Sequence, residues 1–206
     1  MLFGDDILSD IPPADVAADL LVEQNVVNDI FAISQRKAWN SANEARCDFQ
    51  RHIAMTRRAS VNFFTVWRKS PHGKTLSEIK ADKSYVTRFA DEIAMLIEMV
   101  LGGNLHRGGF AVVTTPCRRH TSENFGEAMG KAISKRLRLP FYSHCATCRT
   151  KQRVNATFDA NNIPNEPNVI VVDDFITTGS TIKAMYNLLN SLGKNVTTFA
   201  GINNKL

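Results

Sequence analysis

Apolar residues after position 75 switch between continuous short runs and helical spacing. Tyr85, Phe89, Ile93, Leu96, Ile97 and Val100 recur at intervals of three and four, which predicts an amphipathic helix stopped by Gly102-Gly103. Phe110-Ala111-Val112-Val113-Thr114 reads as a strand, Glu123 to Leu137 as a helix, and Pro140-Phe141-Tyr142 as a short strand. A polar, basic stretch reaches Asn168. Val169 to Val172 follows as a strand, Ser180 to Leu192 as a helix and Val196 to Ile202 as a last strand. Strands that alternate with helices pair in parallel, and runs such as Val-Ile-Val-Val belong to a strand covered on both faces. The pattern predicts an α/β domain built on a doubly wound parallel sheet.

The leading third reads differently. Pro12-Pro13 opens a predicted helix with Val16, Leu20, Val27, Ile30 and Phe31 near helical spacing, and a second helix is predicted from about Ser41, with Ala45, Phe49 and Ile53 on one face. Ser70-Pro71-His72-Gly73 is a turn signal. It places a boundary between a helical extension, 1–75, and the α/β domain, 76–206. No internal repeat or low-complexity segment appears.

Composition adds limits. The 206 residues are 44% hydrophobic, yet no apolar run approaches the length of a membrane span. No basic start followed by an apolar stretch marks a secretory signal, and Cys47, Cys117, Cys145 and Cys148 lack disulfide-framework spacing. A soluble, cytoplasmic protein with reduced thiols is the expectation. The formal charge of +5 is unevenly spread: Asp5, Asp6, Asp10, Asp15, Asp19, Glu23 and Asp29 precede the first cation, Arg36. Arg46, Arg51, Arg57, Arg58, Arg68, Lys69 and Lys74 then face only Glu44 and Asp48. Such a run is a solvated or internally docked face, or a phosphate-seeking surface on which Trp39, Phe63, Phe64 and Trp67 stack bases instead of filling a core.

The candidate chemistry lies in VIVVDDFITTGSTI, residues 169–182. In open parallel sheets ligands sit beyond the carboxyl ends of the strands, where Asp173 and Asp174 are placed. Thr177-Thr178-Gly179-Ser180-Thr181 supplies hydroxyls, consecutive backbone N–H groups and a helix start, which suit a phosphate group. Acids beside such a cradle repel a bare anion but can hold the vicinal hydroxyls of a ribose. The alternative is an ordinary capped turn into a helix. One CxxC, Cys145 to Cys148, is half a zinc site that His144, His120 or Cys117 would complete; it also fits a redox pair or plain loop cysteines.

At these residues the chain resembles the type I phosphoribosyltransferases, whose signature for 5-phosphoribosyl 1-pyrophosphate (PRPP) is an aliphatic strand, two acids and a Thr-Gly-rich turn into a helix. TTPCRRHTSENFGEAMGKAISKRLRLPF and RTKQRVNATFD are similar, in their order of features, to the competence protein F branch of that superfamily. That family's usual four-cysteine zinc module is missing from the leading segment. The resemblance implies that Asp173 and Asp174 contact the ribose hydroxyls and that Thr177, Thr178, Gly179, Ser180 and Thr181 enclose the 5-phosphate. It implies a pyrophosphate-binding role for Arg118 and Arg119, which otherwise pair with Glu123 or Glu127, and a mobile hood between Ser143 and Asn168 in which Arg149, Lys151 and Arg153 close over the leaving group. Mg²⁺ is expected with the ligand, and the implied reaction moves a phosphoribosyl group to or from a nitrogen base. The competing reading is a module that senses PRPP or a nucleotide, or processes DNA, without turnover. Expected partners are PRPP or a nucleotide, a nucleic acid or protein at the N-terminal helices, and a second copy of the chain in a homodimer; no membrane is among them.

Overall fold

The computed structural model describes residues 44–116, 124–148 and 157–204, within a compact unit spanning Asn43–Leu206. Its elements are β1 (Arg46–Cys47), β2 (Arg51–Arg58), β3 (Val61–Arg68), β4 (Lys74–Thr75), α1 (Leu76–Ala81), α2 (Ser84–Leu101), β5 (Phe110–Thr114), α3 (Phe125–Leu137), β6 (Phe141–Tyr142), β7 (Ala146–Cys148), β8 (Phe158–Ala160), β9 (Asn168–Ile176), α4 (Ser180–Ser191) and β10 (Asn195–Asn203). The predicted helix from Pro12 to Phe31 lies outside the described residues.

Six strands form the main sheet in the order β2-β3-β10-β9-β5-β6, with β2 and β3 antiparallel and the other pairs parallel. Alternation along the central strands sends neighbours to opposite faces. Val112, Ile170 and Val172 join the cluster of Phe89, Ile93 and Ile97 on α2 with Met129 and Ile133 on α3. Val113, Val169 and Val171 pack instead with Met185 and Leu189 of α4. Both faces are therefore covered, and the doubly wound parallel sheet is the observed fold. Each of these fully buried large side chains contributes about 1.5–3 kcal/mol of transfer free energy.

Residues 44–75 depart from expectation. The helix predicted from about Ser41 is replaced by β1, β2 and β3, and β3 hydrogen-bonds directly to β10, with Phe64 opposite Phe199 and Arg68 opposite Asn203. The boundary near residue 75 therefore cuts through the sheet. Two features disguise this segment. Ala45, Phe49 and Ile53 fall four apart by coincidence, and Phe49 has φ 60°, which no right-handed helix tolerates. The turn between β2 and β3 is Ala59-Ser60, both in the left-handed region at φ 49° and 70°, without the Gly or Asn that marks such hairpins. Phe63 and Trp67 are buried, and Trp67 contacts Phe49 and Phe89 at centroid distances of 5.3 and 4.7 Å, so these two rings are core and do not stack bases. Phe64 lies half-buried against Phe199 at 5.4 Å.

Elsewhere the predicted elements match in kind and place, with one extension: β9 runs to Ile176, so both acids are strand residues rather than residues beyond its end. Among the described residues no helix is long and apolar enough to cross a membrane.

Candidate functional site

The site begins with the register of three parallel strands. Thr114 of β5 lies opposite Val172 of β9, and Thr115 continues the ladder by donating its N–H to the Val172 carbonyl at 3.3 Å. Asp173 is thereby set beside the loop that leaves β5. The Thr115 hydroxyl and the Asp174 N–H both donate to the Asp173 carboxylate, the latter at 3.0 Å. That carboxyl is enclosed, although the residue as a whole keeps some surface. Burial, reinforced by the charge of Asp174, pushes it up to about 7 against the opposing pull of Lys80 and these donors.

Alternation turns Asp174 to the other face, where its Oδ2 meets the Lys80 ammonium at 2.6 Å. Lys80 comes from α1, a helix of six residues. A capping box starts that helix: the Thr75 hydroxyl accepts from the Glu78 N–H at 3.3 Å, while Glu78 Oε2 accepts from the Thr75 N–H at 2.7 Å. Leu76 and Ile79 anchor α1 in the core, which aims Lys80 at the strand end. The sequence reading missed Lys80 because the boundary was drawn at its cap. The T-x-x-E spacing of Thr75 and Glu78 was the available signal.

Beyond Ile176 the chain turns through Thr177, Thr178 and Gly179 into α4. Gly179 has φ 82° and occupies the N-cap position, and no side chain caps the helix. The Ser180 N–H donates to Thr178 Oγ1 at 3.4 Å, and the next N–H groups of this 12-residue helix have no side-chain cap, which suits an anion. The hydroxyls of Thr178 and Ser180 hydrogen-bond each other at 2.8 Å. Residues Asp173, Thr177, Thr178, Gly179, Ser180 and Thr181 line one open hollow. The structure thus gathers the acid pair's first member and all five predicted cradle residues around a single space.

A second unpredicted residue shapes that cradle. Arg58, at the hairpin end of β2, donates from Nη1 to the carbonyls of Thr177 and, at 3.3 Å, Ile176, and from Nη2 to Asn203 Oδ1. A Cβ on Gly179 would approach Arg58 Cβ to 3.2 Å, so glycine serves both the left-handed turn and the close approach of the hairpin. Arg58 is thus an internally docked member of the basic run. Arg46 donates to the Gly73 carbonyl at 2.9 Å, and Arg51 pairs with Glu92 at 3.0 Å. Arg51, His52, Arg68 and Lys69 also line a shallow open groove at the β2–β3 edge.

Arg118, Arg119, Arg149, Lys151 and Arg153 lie outside the described residues. Their surroundings are described: β7 and β8 form an antiparallel ribbon at the two ends of residues 149–156, and Thr115-Pro116 leads towards Arg118. The two cysteines of the CxxC do not share a face of their strand. Cys148 ends β7, and Cys145 extends that strand through the bond from the Asn161 N–H to its carbonyl, at 3.0 Å. Residues three apart on a strand point to opposite faces. Cys145 packs among Val169, Val171 and Met185, and burial pushes its thiol up to about 11, while Cys117 and His120 lie outside the described residues.

No family model matches the chain, and no curated protein matches its sequence. Solved structures do. Orotate phosphoribosyltransferase from Aeropyrum pernix is similar at 22% identity over 66% of this chain and 69% of that one, with a TM-score of 0.43. Adenine phosphoribosyltransferase from Saccharomyces cerevisiae is similar at 16% identity over 73% and 83%, with a TM-score of 0.45. For the xanthine-guanine-hypoxanthine phosphoribosyltransferase of Helicobacter pylori the values are 16%, 61%, 86% and 0.41. At such identities and TM-scores the functional reading rests on the site's own residues.

Proposed function

We propose that the chain binds PRPP, or a nucleotide carrying ribose 5-phosphate, and transfers the phosphoribosyl group to or from a nitrogen base. The observation that carries this reading is the juxtaposition of Asp173 with the uncapped, glycine-turned start of α4, all lining one hollow. A phosphate seats on the N–H groups of residues 178–181 with the Thr and Ser hydroxyls around it, and the ribose ring then projects towards the strand end. There the acid pair accepts hydrogen bonds from vicinal hydroxyls, which fixes the anomeric carbon at the mouth of the β5 loop.

Departure of pyrophosphate from that carbon develops positive charge on the sugar and negative charge on the leaving group. The acids stabilise the first. Arg118 and Arg119, on the loop after β5, and Lys151, between β7 and β8, are proposed to stabilise the second, with no protein nucleophile required. The order of features in residues 114–159 supports the competence protein F branch within this reading. The nitrogen base enters from the side opposite the leaving group.

The resemblance brings Mg²⁺ with it, but the acid pair does not fit a protein-held ion. Asp174 Oδ2 already bears an ammonium at 2.6 Å, and Asp173 holds a proton up to about 7. Among the described residues no group of three His, Cys, Asp or Glu side chains is placed to hold a metal. No step is assigned to one.

Calorimetry with PRPP, followed by pyrophosphate release with free purine and pyrimidine bases, tests the proposal. Saturable binding is expected, lost in the folded Asp173→Asn, Asp174→Asn double variant, because each side chain exchanges a carboxyl oxygen for an amide N–H that cannot accept. Equal affinity in that variant refutes the site. PRPP binding without turnover on any base replaces the transferase with a sensing module.

A further inference from the structure

Strand β2 is an edge of the main sheet, and among the described residues it is paired on one side only. The hairpin fixes which of its backbone groups are left over. A turn of Ala59 and Ser60 makes Arg58 and Val61 the closing hydrogen-bonded pair, so Thr56 and Ala54 bond across to Phe63 and Thr65. Met55 and Arg57 therefore turn their N–H and C=O groups away from β3. The other side of β3 keeps the same phase: Phe64, opposite Met55, aligns with Phe199 of β10, and the Asn62 carbonyl, opposite Arg57, accepts from the Thr198 hydroxyl.

The side chains of this edge alternate as well. Ile53, Met55 and Arg57 are exposed, Met55 by 66%, whereas Ala54, Thr56 and Arg58 between them are half-buried. Edge strands are commonly shielded by charge, a bulge or a covering element. Here a bulge lies between Arg51 and Ala54 and a cation stands at Arg57, but the apolar step at Ile53 and Met55 stays open. The charge around it has one sign. Arg68 and Lys69 line the groove at the start of β2 beside His52, and among the described residues Arg57, Arg68 and Lys69 have no ion-pair partner. Asp48, which also lines that groove, is engaged by the Gln50 N–H at 2.9 Å and by the Ser70 hydroxyl. A second copy laid along this edge brings the same cations with it and is repelled, while an acidic strand is attracted.

We propose that the free edge of β2 docks an extended acidic segment of another protein, which adds a strand to the sheet. The matching strand reads acid-x-apolar-x-apolar-x-acid. Its first acid meets Arg57, its two apolar side chains cover Met55 and Ile53, and its last acid reaches the groove of His52, Arg68 and Lys69. Main-chain bonds to Met55 and Arg57 supply affinity, the flexible thioether of Met55 accepts either branched or unbranched neighbours, and the flanking cations select the partner. The proposal does not depend on what the hollow at α4 binds.

The probe is the capped, fluorescein-labelled peptide Asp-Thr-Val-Thr-Val-Thr-Asp, titrated with the full chain and read by anisotropy. Saturable binding is expected. A peptide N-methylated at alternate amides, which cannot complete the ladder, and the analogue with Lys at both ends should each bind about tenfold or more weakly. Arg57→Glu should reverse the preference, so that the Lys-ended peptide becomes the tighter one, and Lys69→Glu should weaken the acidic peptide in the same direction by a smaller factor. Failure of the acidic peptide to bind, equal binding of its N-methylated form, or an unchanged preference in both charge variants overturns the proposal. A single-stranded oligonucleotide that binds where the peptide does not, with the affinity lost in Arg57→Glu, makes the surface a phosphate-binding one instead. Sedimentation that shows a dimer broken by Met55→Asp assigns the edge to a second copy and likewise overturns it.

Discussion

Asp173→Asn should make the protein more stable at neutral and higher pH, although it alters a residue of the candidate site. The unfolded chain ionises Asp173 near the ordinary value of 3.8, whereas the folded chain holds the proton up to about 7. Between those values the folded state binds the extra proton, so this carboxyl favours folding fully below about pH 4. That contribution is lost as pH rises through 7. Some three units at 1.36 kcal/mol each set a ceiling of about 4 kcal/mol, and relaxation around the charge lowers it. Asparagine is neutral throughout and keeps the oxygen that accepts from the Asp174 N–H. Urea unfolding of both proteins, followed by circular dichroism from about pH 4 to about pH 8, should give superimposed stabilities at the acid end. The variant should then gain progressively, by about 1–4 kcal/mol at the alkaline end. Parallel curves across that range would refute the enclosure of this carboxyl, and with it the account of the acid pair.

Two further outcomes test the surroundings. Arg58→Met should cost about 1–3 kcal/mol, since the carbonyls of Ile176 and Thr177 and the Asn203 amide oxygen lose their donor, and should weaken phosphate binding more than Arg57→Met does; equal effects would mean that the hairpin does not shape the cradle. Cys145 should resist alkylation in the native state at pH 8 and react on unfolding, which peptide mapping after iodoacetamide treatment reads directly; native labelling of Cys145 would contradict its burial and its raised thiol.

The central motif was legible because several local signals agree there. Val169 to Val172, the two acids and a Gly-containing turn each mean something alone, and the structure places them on one strand, one edge and one helix start. The strand's true end was not legible, since Asp173 and Asp174 oppose β propensity and only pairing with β10, Ala200 opposite Asp173 and Ile202 opposite Phe175, carries the strand to Ile176. The roles of Lys80 and Arg58 were missed for a different reason, although T-x-x-E marks the start of the helix that carries Lys80. Each acts across a large separation in sequence, 94 residues to Asp174 and 119 to Thr177, and no local pattern announces such a meeting. Arg58 was further obscured by Ala59 and Ser60, which make a hairpin turn in a conformation that neither residue type favours.

The position of β10 has a consequence for how the molecule is made. This strand is the last of the described chain, yet it sits inside the sheet, between β3 and β9. During synthesis the β2–β3 hairpin therefore emerges with an unsatisfied edge and waits through some 125 residues before Asn195 to Asn203 arrives to join it to β9. Until then Arg58 has neither Asn203 nor a properly ended β9 to grip. The Arg58 hairpin is thus made long before the strand that joins it to the cradle, which leaves the nascent hairpin exposed to wrong edge pairing. Ligand binding is acquired only when the final strand has been threaded between two partners already made.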